Sequence, residues 1–274
     1  MNDIQKFTLN MTKEIISVFE KNNIFYVICS GSLLGAIRHK GFIPWDDDID
    51  IMIPAKEYKK AIKILKKQLS DKYFVQNYHT EKKYNLPWTQ IRANGTTSMP
   101  VELTNFDINY GICIDLFPVI GLYNNRILNK LQLKLCGLEY TFLAKDFMLA
   151  KGESTLGFQK IINKIPRVIR HIIVNIFNLF VMKDINGCNL CTAKDSGRYK
   201  VKYPSYYFMT REKYSFEDTE FYGIKEYDKY LSLVYGDYMK LPPMEKRCGH
   251  QDELGKIIYD LNKDYSYYKS NNCL

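Results

Sequence analysis

The sequence predicts an α/β fold over roughly its first 120 residues, joined to a helical insert and a tyrosine-rich C-terminal region. Three observations carry this. Helical and extended patterns alternate up to residue 121. From Arg126 to Met182 the apolar period becomes helical. Thirteen of the 22 tyrosines then fall at or after residue 203. The segments 1–121, 122–200 and 201–274 follow from these changes. No internal repeat and no Gly/Ser- or Pro-rich linker separates them, so they are expected to pack as one body.

The elements follow in order. Ile4, Phe7, Leu9, Met11, Ile15, Val18 and Phe19 recur near a 3.6-residue spacing, which predicts a helix over 4–22. IFYVIC at 24–29 predicts a buried strand. Ser30-Gly31-Ser32 turns the chain into a short helix around Leu33–Arg38. In residues 45–53, WDDDIDIMI, the second half alternates and predicts a strand that Pro54 ends. Glu57–Leu69 is a lysine-rich amphipathic helix. Phe74–Gln76, Trp88–Arg92 and Gly111–Phe117 are further strands. In the insert, Leu128, Leu131, Leu135, Leu138 and Phe142 form one helical stripe. Phe158, Ile161, Ile165, Val168, Ile169, Ile172, Ile176 and Phe180 form a second, which Pro166 should split.

Composition excludes several classes. Apolar residues make up 46% and charged residues 25%, which suits a folded globular chain. The longest nearly apolar stretch, Ile172–Met182, is interrupted by two Asn and is too short to span a bilayer. The start, MNDIQKFTLN, lacks the pattern of a signal peptide, so a cytoplasmic protein is expected. Seven scattered Cys in such a chain read as free thiols. A zinc site at Cys188 and Cys191 would need Cys248 and His250 to complete it. The net charge is +9, and residues 122–185 hold most of it, with 10 basic and 4 acidic side chains. No helix-turn-helix, RNA-recognition or zinc-finger pattern accompanies that charge, so no nucleic-acid partner is expected.

The densest chemical signal is Asp46, Asp47, Asp48 and Asp50. Four carboxylates in five residues repel one another, and a cation or a basic partner offsets that best. An EF-hand loop would need Gly where β-branched Ile51 stands. In the strand reading Asp48 and Asp50 share one face, and Ile49, Ile51 and Ile53 the other. Ile112-Cys113-Ile114-Asp115-Leu116-Phe117 adds a third acid, alone in an apolar strand. An adjacent strand would set Asp115 beside the other two. Oxygen-only ligands favour Mg²⁺ or Mn²⁺ over zinc. The alternative is a solvated acidic turn, with Asp115 paired to an arginine. Gly31-Ser32, between a strand and a helix, suits a phosphate: Gly permits close backbone approach and a helix N-terminus attracts anions.

With these residues in view, GSLLGAIRHKGFIPWDDDIDIMIP (31–54) resembles the signature of LicD-type phosphotransferases, a nucleotidyltransferase-fold family related to the fukutin proteins. GICIDLFPV (111–119) is similar to its third-carboxylate strand, and YDKYLSLVYGDYMKLPPMEKRCGH (227–250) to its C-terminal segment. The resemblance implies a nucleotidyltransferase-like α+β fold, a small mixed sheet flanked by helices. It implies transfer of a phospho-alcohol, most typically phosphocholine from CDP-choline, to a hydroxyl of a surface glycan such as lipooligosaccharide, teichoic acid or capsule. Gly31 and Ser32 would hold donor phosphates. Asp48 and Asp50 would bind metal, and Asp115 would complete that site and help activate the hydroxyl.

Around this core, Arg38, His39 and Lys40 are placed to neutralise the departing phosphate, or are plain surface charge. Trp45 stacks a base or a choline cation, or packs. Arg92 is a phosphate contact or a structural cation. Tyr230, Tyr235 and Tyr238 form an aromatic cage for a quaternary ammonium, or packing. His250 is an acid/base or phosphate contact, or structural. The same core also permits a nucleotidyltransferase that consumes an NTP. Lys160, Lys164, Arg167, Arg170 and His171 form a basic face opposite the second apolar stripe. That face meets anionic membrane, as a lipid-linked acceptor would suit, or is solvated while the apolar stripe covers the sheet.

Overall fold

The chain enters its first helix through a reciprocal cap. Asn2 Oδ1 accepts from the Gln5 backbone N–H at 2.8 Å, and Gln5 Oε1 accepts from the Asn2 N–H at 2.9 Å. Helix α1 then runs from Asp3 to Lys21 and buries Leu9, Met11, Ile15, Ile16 and Phe19. The computed structural model describes residues 1–150, 162, 164–195, 201–247 and 256–270, and for 145–150, 246 and 270 the backbone only.

Strand β1 is only Val27–Ile28, shorter than the apolar run 24–29, and α2 (Ser30–Arg38) begins three residues earlier than its apolar pattern suggests. Ser30 takes φ +48°, which turns the backbone sharply out of β1. Strand β2 (Asp50–Pro54) leads directly into α3 (Ala55–Gln68), whose buried residues are Ala55, Tyr58, Ala61 and Leu65. Strands β3 (Tyr73–Gln76), β4 (Thr89–Ala93) and β6 (Cys113–Gly121) lie where extended pattern predicts them, with β6 running four residues further. A short strand β5 (Thr97–Pro100) lies between β4 and β6 and has no sequence counterpart above.

The main sheet is mixed, with the order β3-β4-β6-β2-β1-β10-β9. Strand β7 (Leu190–Ala193) pairs with the distal half of β6, and β8 (Tyr203–Pro204) pairs with β7. Strands β9 (Arg211–Phe216) and β10 (Thr219–Ile224) form a hairpin whose second strand runs parallel to β1. Strand β11 (Ile257–Asp260) pairs antiparallel with β5 as a separate two-stranded ribbon. The tyrosine-rich region thus supplies sheet strands as well as α6 (Tyr227–Tyr235) and α7 (Tyr265–Ser270). One face of the sheet carries the core: Ile28, Ile51, Ile53, Ile91, Ile114 and Leu116 are all fully buried.

Helices α4 (Arg126–Ala150) and α5 (Arg167–Val181) run antiparallel. Gln132 donates to Val181 O at 3.0 Å, Asn178 to Glu139 Oε1 at 2.8 Å, and Arg170 to Phe142 O at 2.6 Å. Pro166 stands at the N-cap of α5, so the helix starts after it within the second stripe, as expected. The direction of α5 differs from expectation. Arg170 faces inward and is buried, while Val168, Ile169, Ile172 and Ile176, read as the face that covers the sheet, are exposed. The physical reason is a buried polar cluster on the inner side. Lys194 Nζ lies 2.6 Å from Glu139 Oε2 and donates to Asn178 Oδ1 at 2.9 Å, with both charged side chains at most 1% exposed. Satisfying these groups fixes which side of α5 turns in. Residues Phe158, Lys160 and Ile161 lie outside the described residues.

Removing one member of that pair strands a buried charge. Lys194→Met is expected to cost about 3–5 kcal/mol in urea unfolding, and Lys194→Met with Glu139→Leu should recover much of it.

Candidate active site

The site begins with a register. Strands β2 and β6 are parallel neighbours, and Asp50 is the Cα partner of Asp115. Asp48 comes in from the loop just before β2. One oxygen from each of Asp48, Asp50 and Asp115 lies within 4.8 Å of the others. All three side chains are half-buried, at the end of a sheet whose other face is core. Asp48 thus lies in the entering loop and not on the strand as expected, and the three carboxylates converge all the same.

Asp115 and Asp50 are both held from outside the cluster. Trp88 Nε1 donates to Asp115 Oδ1 at 2.9 Å, and its ring packs on Phe117 at 5.3 Å. The Asp50 N–H donates to Ser32 Oγ at 2.8 Å, so this buried serine fixes the start of β2. Gln5 Nε2 donates to Asp46 O at 2.7 Å, tying the acidic loop to α1. A Cβ on Gly31 would stand 2.6 Å from Asp46 Oδ2, which explains the glycine: the carboxylate occupies that space. Tyr259 on β11 hydrogen-bonds Asp47, and burial followed by that negative charge raises its pKa. Asp195, just beyond β7, adds a further carboxylate whose charge, with that of Asp50 and burial, raises the Cys29 thiol.

Two sides of the cluster differ in character. On one, across the sheet, Gln76, Gln90 and Asp115 stand in register on β3, β4 and β6. Arg92 is buried and donates to Gln76 Oε1, Gly111 O and Gln90 Oε1, so all three acceptors are neutral. A cavity of about 280 Å³ opens here, lined by Asp48, Asp115, Gln90, Arg92, Tyr84 and Tyr259 among others. The Tyr84 hydroxyl is buried with no hydrogen-bond partner. Burial and then Asp115 hold its pKa well up.

The other side is cationic and aromatic. Arg247 lies over Trp45, 5.5 Å from the ring centroid. Arg38 donates to Tyr238 O at 2.7 Å and feels both Tyr235 and Arg247. Tyr235 is surface-accessible along α6, yet burial and the charge of Asp50 raise its hydroxyl pKa. Lys40 points outward, and its carbonyl accepts from Glu217 N at 2.7 Å. Glu217 also accepts from the Phe42 N–H at 3.0 Å, so the β9–β10 turn holds the loop between the two motifs.

The aromatic residues separate. Tyr230 is fully buried, stacks on Tyr203 at 5.2 Å and accepts from the Ser30 N–H at 3.2 Å. Tyr238 is buried and donates to Asp228 at 2.8 Å. Only Tyr235 of the three neighbours the acidic cluster. His250 and Cys248 lie outside the described residues. Cys188 and Cys191 are buried free thiols; Lys183 Nζ donates to Cys188 Sγ at 2.7 Å, and burial pushes Cys191 up to about 12. Trp88, Gln90, Tyr84, Tyr259, Asp195 and Arg247 belong to the site or its borders and were not singled out by sequence. The lone apolar-strand acid was the signal that a donor such as Trp88 had to exist.

Comparisons with known proteins bear on residues 23–126 and on the chain as a whole. Residues 23–126 match the family model described as LicD/FKTN/FKRP, nucleotidyltransferase domain. The chain carries a LicD-family domain. It is 29% identical over 273 aligned positions, 94% of this chain and 98% of the relative, to the lipopolysaccharide cholinephosphotransferase LicD of Haemophilus influenzae. Shorter matches, 56% identical over 43 residues, join it to uncharacterized proteins of Rickettsia prowazekii and Rickettsia typhi; each covers 16% of this chain, and 16% and 14% of those relatives. The LicD-family match spans β1 to β6 and so contains Gly31, Ser32 and all three clustered Asp.

His39 reports on the cationic side. Partial burial and then Arg38 lower its pKa, and Arg38 Nε donates to its Nδ1 at 3.4 Å. In a histidine NMR titration His39 should titrate below an ordinary histidine, and Arg38→Gln should move it upward.

Proposed function

We propose that this protein transfers phosphocholine from CDP-choline to a hydroxyl of a lipopolysaccharide, using a divalent cation held by Asp48, Asp50 and Asp115. The observation that carries the reading is the convergence of these three carboxylates within a LicD-family domain. The similarity to the Haemophilus cholinephosphotransferase along nearly the whole chain supports the choice of transferred group and acceptor class.

The donor set suits Mg²⁺ or Mn²⁺, being all oxygen and partly open to solvent. When bound there, such an ion supplies charge neutralisation at the transferring phosphoryl group. The remaining work belongs to the chain. Trp88 fixes one oxygen of Asp115, whose carboxylate lines the cavity and there accepts the proton of the attacking hydroxyl. That hydroxyl attacks the phosphorus bearing choline; the pyrophosphate P–O bond breaks and CMP leaves. Gly31 and Ser32 bring the start of α2 to the donor phosphates. Arg38 and Arg247 offer positive charge to the departing phosphate, and Trp45 offers a ring face to the base. Arg92 and Gln90 line the cavity from the sheet side, where acceptor hydroxyls find hydrogen-bond partners. The acceptor is a membrane glycolipid, so on this reading the protein acts from the cytoplasmic side against a membrane surface.

The test is ³¹P NMR of protein with Mg²⁺, CDP-choline and lipopolysaccharide. CMP and a new phosphodiester signal are expected. Asp48→Asn, Asp50→Asn and Asp115→Asn should each slow the reaction about 10²-fold or more. EDTA should abolish turnover and added Mg²⁺ restore it. Pyrophosphate released from an NTP, with CDP-choline untouched, would overturn the reading.

A further inference from the structure

Helix α5 carries apolar side chains on its outer face as well as its inner one. Its polar side chains face the protein: Arg170 and Asn178 bond to α4, and Asn178 joins the buried Lys194–Glu139 pair. Val174 and Val181 are buried beside these polar groups, but a second set of apolar side chains faces solvent. Val168 is 71% exposed, Ile172 52%, Ile176 59% and Leu179 82%, with Ile169 beside them. Spacings of four, four and three residues set 168, 172, 176 and 179 on one helical face. A soluble helix buries that face and exposes the other. Neighbouring α4 adds exposed Ile127, Leu128 and Leu131. An exposed apolar surface of this extent marks a binding face.

The charge around it selects the occupant. Arg126, Lys130 and Lys134 are exposed along α4, and Lys164 is exposed just before α5. Among the described side chains of α4 and α5 the one acid is Glu139, and it is buried against Lys194. Apolar side chains edged by cations, without exposed acids, match the interface of an anionic bilayer, where apolar groups enter the acyl boundary and cations meet the headgroups. No helix among the described residues is long and apolar enough to cross a membrane, so the contact is a face lying on the surface.

We infer that the outward face of α5, with the basic edge of α4, docks the protein onto anionic lipid. This differs from a basic helix face meeting the membrane while the apolar stripe covers the sheet: the apolar stripe itself is the inserting surface. The inference does not depend on the transferase reading, since vesicle binding is measured without substrate.

The test is flotation of the full-length protein with phosphatidylcholine vesicles, with and without phosphatidylglycerol. Wild type should rise with the phosphatidylglycerol vesicles, less so at high salt. Ile172→Ser/Ile176→Ser/Leu179→Ser should lower binding about tenfold or more while CDP-choline turnover in solution persists. Arg126→Gln/Lys130→Gln/Lys134→Gln should lower it with the apolar face intact. A Leu179→Trp reporter should shift its emission to the blue on those vesicles. Wild type that stays unbound, or a triple serine variant that floats like wild type, would overturn the proposal. So would light scattering that shows a dimer which the serine variant splits, without flotation; the face would then join two copies of this chain.

Discussion

The parallel pairing of β2 with β6 is the constraint on which the rest depends. It sets Asp50 beside Asp115, and the loop entering β2 brings Asp48 to the same place. Like charges at such separations oppose the arrangement. The sheet overrides them because the same register buries Ile51 and Ile53 beside Leu116 and Pro118. A one-residue slip would turn those side chains to the wrong face. Apolar burial on one face therefore imposes acidic crowding on the other. The surrounding donors, Trp88 on Asp115 and Ser32 on the Asp50 backbone, orient what the register has brought together.

The protein builds this centre from distant parts of the chain. The N-terminal helix reaches the acidic loop through Gln5, the β9–β10 turn clamps the loop at Phe42 through Glu217, and β11 brings Tyr259 to Asp47. The centre sits at one end of the main sheet, at the start of β2 beside β6. Its borders are not alike: a cavity with Arg92, Gln90 and Tyr84 lies on one side, and Arg38, Arg247 and Trp45 lie on the other. Two unlike borders around one acidic centre suit a reaction with two different substrates.

Much of this was legible in the sequence, and the limits have physical causes. Asp48, Asp50 and Asp115 stood out because a two-residue period separates them from isoleucines and leucines, so burial and chemistry could be told apart. Trp88 and Gln90 did not, since their roles arise from pairing of β4 with β6 rather than from local pattern. Tyr230, Tyr235 and Tyr238 read as a possible cage because spacing shows proximity and not direction; Tyr230 instead fills the core against Tyr203. Helix α5 taught the same lesson in reverse. Its apolar stripe was plain, but the stripe's direction was set by Glu139 and Lys194, which lie on other elements. Strands β9 and β10 escaped notice because half-exposed, mixed residues fill them and their partner β1 is only two residues long.

The central claim is that Asp48, Asp50 and Asp115 act as one cation-binding centre. The most direct measurement is a Mn²⁺ titration of the protein followed by electron paramagnetic resonance, in which bound Mn²⁺ loses its sharp six-line signal. The account predicts that wild type depletes that signal and that Asp115→Asn, with an unchanged fold by circular dichroism, does not. A wild-type protein that leaves the free Mn²⁺ signal intact, or an Asp115→Asn variant that binds as well as wild type, would contradict it.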